Sequence, residues 1–306
     1  MGLHLPGKPG RRRPVGKTPL LAALAAAVVL LGGCSSESRD QWRRAAMPDP
    51  ASAQGEHNLA LWQGAWIAAM ITGVIVWGLI FWALWRYRRR SESDIPVQTR
   101  YNLPIEIFYT IAPVLMVIVF FAHTVRVQDA MLDEGNVDNT IEVVGQQWSW
   151  TFNYGLGERD GSADDDPTDD QFAYGSYVWE AGTAEYIPTL VLPVGETTRF
   201  NLHSPDVIHD FGVPAFLMKM DVIPGRVNHY AITPTRTGEF DGKCYELCGV
   251  SHSRMLFNVK VVSKADYASY LQGLQDKGRE TDEPLLGGAD AHTQAGLAGD
   301  TEGVNK

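Results

Sequence analysis

Two long apolar runs without a charged residue limit the folds open to this chain. The first covers 27 residues, 59–85, and the second covers 19 residues, 107–125. A helix needs about 20 apolar residues to cross a hydrocarbon core of about 30 Å, so each run is long enough to span a membrane. Aromatic residues near the ends of the first run fit an interfacial belt. The pattern predicts a two-helix transmembrane hairpin over 59–126, with spans at about 59–85 and 104–125.

The loop between the runs predicts the orientation of the hairpin. Five arginines lie within residues 86–103, namely Arg86, Arg88, Arg89, Arg90 and Arg100. Short loops rich in arginine and lysine stay on the cytoplasmic side of a membrane. We therefore expect a cytoplasmic loop, with everything after Arg126 on the outer side.

The N-terminus has the features of an export signal. Basic residues at 11–13 and 17 precede a short apolar run, 20–31, which is too short to span a bilayer. The run ends in Leu-Gly-Gly-Cys34, which resembles a bacterial lipobox. We predict a lipoprotein signal peptide over 1–33, lipidation of Cys34 and an exported segment over 34–58. The alternatives are a cleaved signal with an incidental cysteine or an uncleaved anchor. A lipidated Cys34 lies outside the cell, in agreement with the arginine loop, so we expect a plasma-membrane protein with its C-terminal domain outside.

Charge is divided unevenly along the chain. The formal net charge is −10, and it is concentrated after residue 126, where 12 basic residues face 29 acidic ones. Such an acidic segment argues against nucleic acid as a partner and favours a basic one. Nine of these acids and one base, Arg159, lie between residues 158 and 185. We predict an acidic insert over about 155–185, either a solvated surface loop or a docking patch for a basic partner.

From residue 140 the sequence changes to short β-type runs. They lie at 140–152, 186–192, 197–203, 207–213, 227–232, 238–244 and 256–262, and proline and glycine separate them. Many short strands at roughly ten-residue spacing indicate a β-sandwich or barrel. We expect an exported β-domain over 127–265. Residues 266–306 should then form a C-terminal helix and tail, disordered from about Gly278.

One short segment concentrates metal-binding side chains. Cys244, Cys248, His252 and Met255 fall within twelve residues. Thiolate and thioether are soft ligands that select copper over hard cations, and two cysteines in one tight loop could bridge two copper ions. A second imidazole must then come from a distant strand, and His209 is the best candidate. A disulfide, a structural zinc site and an ordinary polar role for His209 are the alternatives.

Four motifs together resemble subunit II of the haem–copper cytochrome c oxidases. They are Gln147-Trp-Ser-Trp150, His203-Ser-Pro-Asp-Val-Ile-His209, Lys219-Met-Asp-Val-Ile-Pro-Gly-Arg226 and the cysteine loop. The resemblance implies a cupredoxin-like Greek-key sandwich, following the transmembrane α-helical hairpin, with a binuclear copper A centre. Ser149 and Gln146 depart from the residues common at their places in the family.

The resemblance also implies a role for each ligand. Cys244 and Cys248 would bridge the coppers, and His209 and His252 would be terminal ligands. The weak axial ligands would be Met255 and the backbone carbonyl of Glu246. The carboxylate of Glu246 would reach a magnesium ion shared with subunit I, and haem would lie only in the partner subunit.

Three further positions match functional residues of the family. Trp148 resembles the electron-entry tryptophan. Asp206 resembles an acid of the cytochrome c docking face, with a loop cap as the alternative. Glu106 resembles the acid at the entrance of a proton path into subunit I, with a helix cap as the alternative.

The function that follows is electron input to a respiratory oxidase. Cytochrome c, soluble or as a subunit of a cytochrome bc complex, would pass electrons by Trp148 to the copper pair. They would continue to haem in subunit I, where oxygen is reduced and protons are pumped. Subunit I, other oxidase subunits and the membrane are the expected partners. The alternative is a membrane-anchored copper-binding and delivery lipoprotein.

Overall fold

The computed structural model describes residues 36–91, 95, 98–157, 174–183 and 185–288, in two compact units, 1–46 and 47–306. In the first unit, residues Ser36–Arg43 form helix α1. The predicted signal peptide, Cys34 and the centre of the acidic insert lie outside the described residues.

Two long helices open the second unit. Helix α2 spans Ala53–Arg86 and helix α3 spans Leu103–Leu132. Polar caps start both of them, because the side chain of Ser52 accepts from the backbone N–H of Gly55 and that of Asn102 accepts from Ile105. Both helices are long and apolar enough to cross a membrane, and their apolar side chains are exposed. They contain the predicted spans, but α2 begins before residue 59 and α3 continues past residue 125.

Eleven strands follow within the described residues. They are β1 Asn139–Gln146, β2 Ser149–Leu156, β3 Ser176–Ala181, β4 Thr189–Pro193, β5 Thr198–His203, β6 His209–Val213, β7 Met218–Val222, β8 Asn228–Ile232, β9 Gly238–Cys244, β10 Leu256–Val262 and β11 Glu280–Thr281. Helix α4, Lys264–Asp276, lies between β10 and β11.

The strands form two sheets that enclose one core. The first has the order β11-β3-β2-β1-β5-β8 and the second β4-β10-β9-β6-β7. Neighbours are antiparallel except for the pairs β1–β5 and β4–β10. Successive side chains of a strand point to opposite faces of the sheet, so one face of each sheet lines the core. Many of the buried side chains are aromatic, and the rings of Phe211 and Phe257 stack with centroids 4.8 Å apart. The predicted sandwich, of the cupredoxin type, is confirmed.

The first turn of α2 is packed against the sandwich. The backbone N–H of Ala51 donates to the carbonyl of Ala215 at 2.7 Å, and the hydroxyl of Ser52 donates to the carbonyl of Phe216 at 3.0 Å. Ala51 and Ser52 are fully buried. Residues 51–55, immediately before the predicted span, are therefore packed into the β-domain.

Two predicted boundaries differ from the structure. Strand β3 lies inside the predicted insert, and its residue Val178 is buried in the core. The end predicted as disordered from Gly278 instead adds β11 to the first sheet. Beyond β11, the side chain of Asn153 accepts from the backbone N–H of Leu285 at 2.8 Å and donates to its carbonyl at 3.2 Å. The reason is packing on an open sheet face, which composition does not reveal. Residues 289–306 lie outside the described part.

Candidate metal centre

The cysteine loop joins β9 to β10 at one end of the second sheet. Cys244 is the last residue of β9, and its backbone N–H donates to the carbonyl of Met255, which pins the two ends of the loop together at 3.0 Å. A short 3₁₀ turn, His252–Arg254, brings His252 back over Cys248. His209, the first residue of β6, comes from the neighbouring strand, as β6 pairs with β9 at Phe211 and Cys244.

The side chains meet at distances that suit shared metal ions. The two Sγ atoms are 3.8 Å apart, Nδ1 of His209 is 3.9 Å from Sγ of Cys244, and Nδ1 of His252 is 3.6 Å from Sγ of Cys248. Ligands of one tetrahedral ion at bonds of about 2.0–2.3 Å lie about 3.5–3.8 Å apart. A disulfide would need an S–S distance of about 2.0 Å, so both thiols are free.

Two weaker donors complete the set. The thioether sulfur of Met255 lies 3.7 Å from Sγ of Cys248, and the backbone carbonyl of Glu246 lies 3.2 Å from Sγ of Cys244. Met255 is fully buried and both thiols nearly so. A buried set of soft sulfur and imidazole donors fits copper, and Met255 has no place in an ordinary zinc site.

The two thiols differ in acidity. Burial alone would raise the pKa of Cys244, but hydrogen bonds, chiefly from His209, bring it to about 7. The pKa of Cys248 rises to about 12, because that thiol is buried and lies beside the charge of Cys244. The two thiols titrate as a coupled pair, and metal binding releases the protons that they still carry.

Asp206 orients His209. Its Oδ1 lies 2.9 Å from Nε2 of His209, which leaves Nδ1 pointing at the thiols. Burial raises the pKa of Asp206, yet the bonds from His209, Gln147 and Val207 outweigh it and hold the pKa below its usual range. Burial likewise lowers the pKa of His209, and the bonds to Asp206 and Cys244 bring it above the ordinary value. The carboxylate of Asp206 thus caps its own loop and also orients His209, a candidate ligand.

Trp148 and Trp150 each donate a hydrogen bond to the cysteine loop. Trp148 is half-buried, and its Nε1 donates to the carbonyl of Cys248 at 3.3 Å. Trp150 is fully buried, and its Nε1 donates to the carbonyl of Met255 at 3.3 Å. The half-exposed ring is the one placed to face a partner, and the buried ring belongs to the core.

Two predicted acids have carboxylates outside the set of donors described above. Glu246 presents an exposed carboxylate. Glu106 lies in the first turn of α3, where its Oε1 accepts from the backbone N–H of Asn102 at 3.0 Å. Asn102 in turn caps Ile105, so the pair forms a reciprocal helix cap. A helix cap is the alternative role considered for Glu106, and the structure shows this contact. The cap is compatible with a role in proton transfer.

Sequence reasoning missed three residues around the centre. Gln147 contacts both ligand loops, and Lys219 pairs with the buried Asp210 beside His209. Gln147 and Lys219 lie inside the motifs quoted above, so the motifs were a usable signal. Nothing in the sequence distinguishes Asp210 from a surface acid.

The fold and the site define a class of protein: a membrane-anchored cupredoxin with a buried cluster of thiol, imidazole and thioether donors that suits copper. Residues 139–262 match the family model of the cytochrome c oxidase subunit II periplasmic domain, and residues 40–127 match that of its transmembrane domain. The chain belongs to the cytochrome c oxidase subunit II family, a component of haem–copper terminal oxidases. The predicted family is confirmed; it implies a copper A site, and His209, Cys244 and Cys248 form a fitting group.

Known relatives cover nearly the whole chain. The probable cytochrome c oxidase subunit 2 of Streptomyces avermitilis is 47% identical over 290 residues, which is 88% of this chain and 90% of that protein. The subunit 2 of Mycobacterium tuberculosis is 34% identical over 310 residues, covering 87% of this chain and 84% of that protein. Among solved structures, the periplasmic domain of the Bradyrhizobium japonicum subunit II is 30% identical, with a TM-score of 0.37, over 47% of this chain and 97% of that one.

Proposed function

We propose that this chain receives electrons from a cytochrome c at a binuclear copper A centre and delivers them to haem in subunit I. The observation that carries the proposal is the pair of buried thiols 3.8 Å apart, each with an imidazole nitrogen within 3.9 Å. When bound, the copper pair supplies one-electron redox chemistry with the unpaired electron shared between two ions.

Each ligand has a role that its position supports. Cys244 and Cys248 would be the bridging ligands, because each sulfur lies near the other and near an imidazole nitrogen. His209, beside Cys244, and His252, beside Cys248, would be terminal ligands. Met255 and the carbonyl of Glu246 would be weak donors, which would tune the centre more than hold it. The surrounding β-sandwich keeps these donors fixed, as electron transfer without a change of bonds requires.

Trp148 is the entry point for the electron. Its half-exposed indole is hydrogen-bonded to the carbonyl of Cys248 at 3.3 Å, so the ring is in direct contact with a bridging residue. Asp206 and the acidic insert favour a donor with a basic surface. The docking role of Asp206 rests on its charge, since its two carboxylate oxygens already accept hydrogen bonds from Gln147 and His209.

Two sites face the partner subunit. The exposed carboxylate of Glu246 is a hard ligand suited to a magnesium ion shared with subunit I. Glu106, at the cytoplasmic end of α3, marks the entrance of a proton path into the same subunit. The orientation follows from the arginine-rich loop, and lipidation of Cys34 adds a second attachment on the outer face.

Copper delivery is the alternative function. It would use the same donors but would leave Trp148, placed against Cys248, without a purpose. Family membership favours the oxidase, since relatives 47% and 34% identical match 88% and 87% of this chain.

The test is metal and haem analysis, with electron paramagnetic resonance, on a complex purified through the full-length chain. The full chain is needed because Ala51 and Ser52 pack into the sandwich. We expect two copper atoms per chain that share one unpaired electron, together with haem in a co-purified subunit. A haem-free chain that yields its copper to a chelating acceptor would support delivery instead.

A further inference from the structure

One glutamine lies between the two loops that supply the copper ligands. The backbone N–H of Gln147 donates to Oδ2 of Asp206 at 2.7 Å, and Oδ1 of Asp206 accepts from His209. The side-chain Nε2 of Gln147 donates to the carbonyl of Cys248, also at 2.7 Å. Gln147 is therefore linked to a terminal ligand on one side and to a bridging ligand on the other.

The surroundings of this amide are closely fitted to it. Trp148 donates to the same carbonyl of Cys248, so both acceptor positions of that oxygen are filled. Gly249 has a φ of +129°, and a Cβ at this position would lie 3.1 Å from Nε2 of Gln147. Gly249, which follows Cys248, thus leaves room for the side-chain amide of Gln147.

We infer that Gln147 is a positioning residue that holds the His209 loop and the Cys248 loop at the separation the copper pair needs. The inference rests on the proposed function. Its physical reason is preorganisation: the two loops come from distant parts of the chain, and a residue that bonds to both removes their freedom to drift apart before metal binds. Removal of such outer contacts typically lowers metal affinity about 10- to 100-fold.

The neighbouring Gln146 provides a matched control. It has the same side chain, but its Nε2 reaches the carbonyl of Gly288, at 3.4 Å, and contacts no candidate ligand. A general effect of losing an amide from this hairpin should appear in both positions, whereas a positioning effect should appear only at 147.

The experiment compares Gln147→Met and Gln146→Met, both of similar length to glutamine, in the full chain within the assembled oxidase. Copper affinity is measured by competition with a chelator, and the copper hyperfine pattern by electron paramagnetic resonance. We expect Gln147→Met to lose affinity by about 10- to 100-fold and to show an altered hyperfine pattern. Gln146→Met should match the unmodified protein in both.

Equal affinity and an unchanged hyperfine pattern in Gln147→Met would overturn the inference. If that variant does not assemble, Gln147→Asn decides by the same two measurements, since its amide is one methylene too short for the carbonyl of Cys248; wild-type values there also overturn the inference. An unmodified chain without a copper pair would instead mark the failure of the proposed function.

Discussion

The carboxylate of Asp206 lies 2.9 Å from Nε2 of His209 and fixes which ring nitrogen faces the thiols. A carboxylate partner on the outer nitrogen of a ligand histidine sets its tautomer and orientation. An asparagine keeps the size of the side chain but removes the charge, so Asp206→Asn should lower copper affinity about 10- to 100-fold. Chelator competition measures this, with the exposed Asp241→Asn as the control.

The same variant separates two roles of Asp206. If the residue only docks the donor, Asp206→Asn should raise the KM for cytochrome c and leave copper affinity unchanged. If it only orients His209, copper affinity should fall and the KM should not change.

The second prediction concerns the bridging thiols. Cys248→Ser replaces a soft bridging ligand by a hard hydroxyl of nearly the same size, so the sandwich should fold while the mixed-valence centre is lost. Electron paramagnetic resonance reports the centre, and circular dichroism reports the fold. Full copper content with the original spectrum would contradict the bridging role.

The third prediction concerns Met255. Its side chain is fully buried and its sulfur lies 3.7 Å from that of Cys248. Leucine fills a similar volume, so Met255→Leu should cost less than about 1.5 kcal/mol of folding free energy. Loss of a weak axial donor should shift the reduction potential and slow electron transfer, with most of the copper retained. Complete copper loss would show that Met255 holds the ion rather than tunes it.

The candidate donor cluster could be found in the sequence because most of its members lie close together. Four donors lie within twelve residues, and only His209 had to be sought elsewhere. The membrane helices were equally clear, since a long uncharged run has few alternatives. The start of α2 was not clear from the sequence. The helix begins where Ala51 and Ser52 are buried against the sandwich, before the uncharged run starts.

The strands show where pattern reasoning stops. Residues 140–152 look like one run, because neither Gln147 nor Trp148 is a glycine or proline that would mark a turn. The structure divides the run there into β1 and β2. Strand β7 alternates Met218, Lys219, Met220 and Asp221, a pattern that could have been recognised. Strand β3 was hidden by the acids around it, and Gln147 became significant only when two distant loops met.

The fourth prediction concerns the junction between α2 and the sandwich. A Cβ on Gly55 would lie 2.8 Å from the backbone carbonyl oxygen of Phe216, and a carbonyl cannot rotate away as a side chain can. Gly55→Ala should therefore destabilise the full chain by about 1–3 kcal/mol. Gly78→Ala, on the same helix, is the control, because a Cβ there would meet nothing within 4 Å beyond its chain neighbours and its own helix backbone. Thermal unfolding in detergent compares the two, and equal midpoints would show that the junction is loose.

The fifth prediction tests the acidic insert, whose centre lies outside the described residues. Asp164, Asp165, Asp166, Asp169 and Asp170 are changed together to asparagine, and a control changes them to glutamate, which keeps the charge. Electrostatic steering acts on the association rate and is screened at a Debye length of about 8 Å near physiological salt. The asparagine variant should therefore slow oxidation of added cytochrome c at low salt and flatten its salt dependence, with an intact copper spectrum.

A permanently bound donor gives a different result from the same two variants. Diffusion is then bypassed, so neutralisation should weaken assembly with the donor complex and leave internal turnover intact. Co-purification of the donor at rising salt measures this, and the glutamate variant should behave like the unmodified chain. If the asparagine variant changes neither salt dependence nor assembly, the insert is a solvated loop, because carboxylates that meet a basic partner cannot be removed without weakening that encounter.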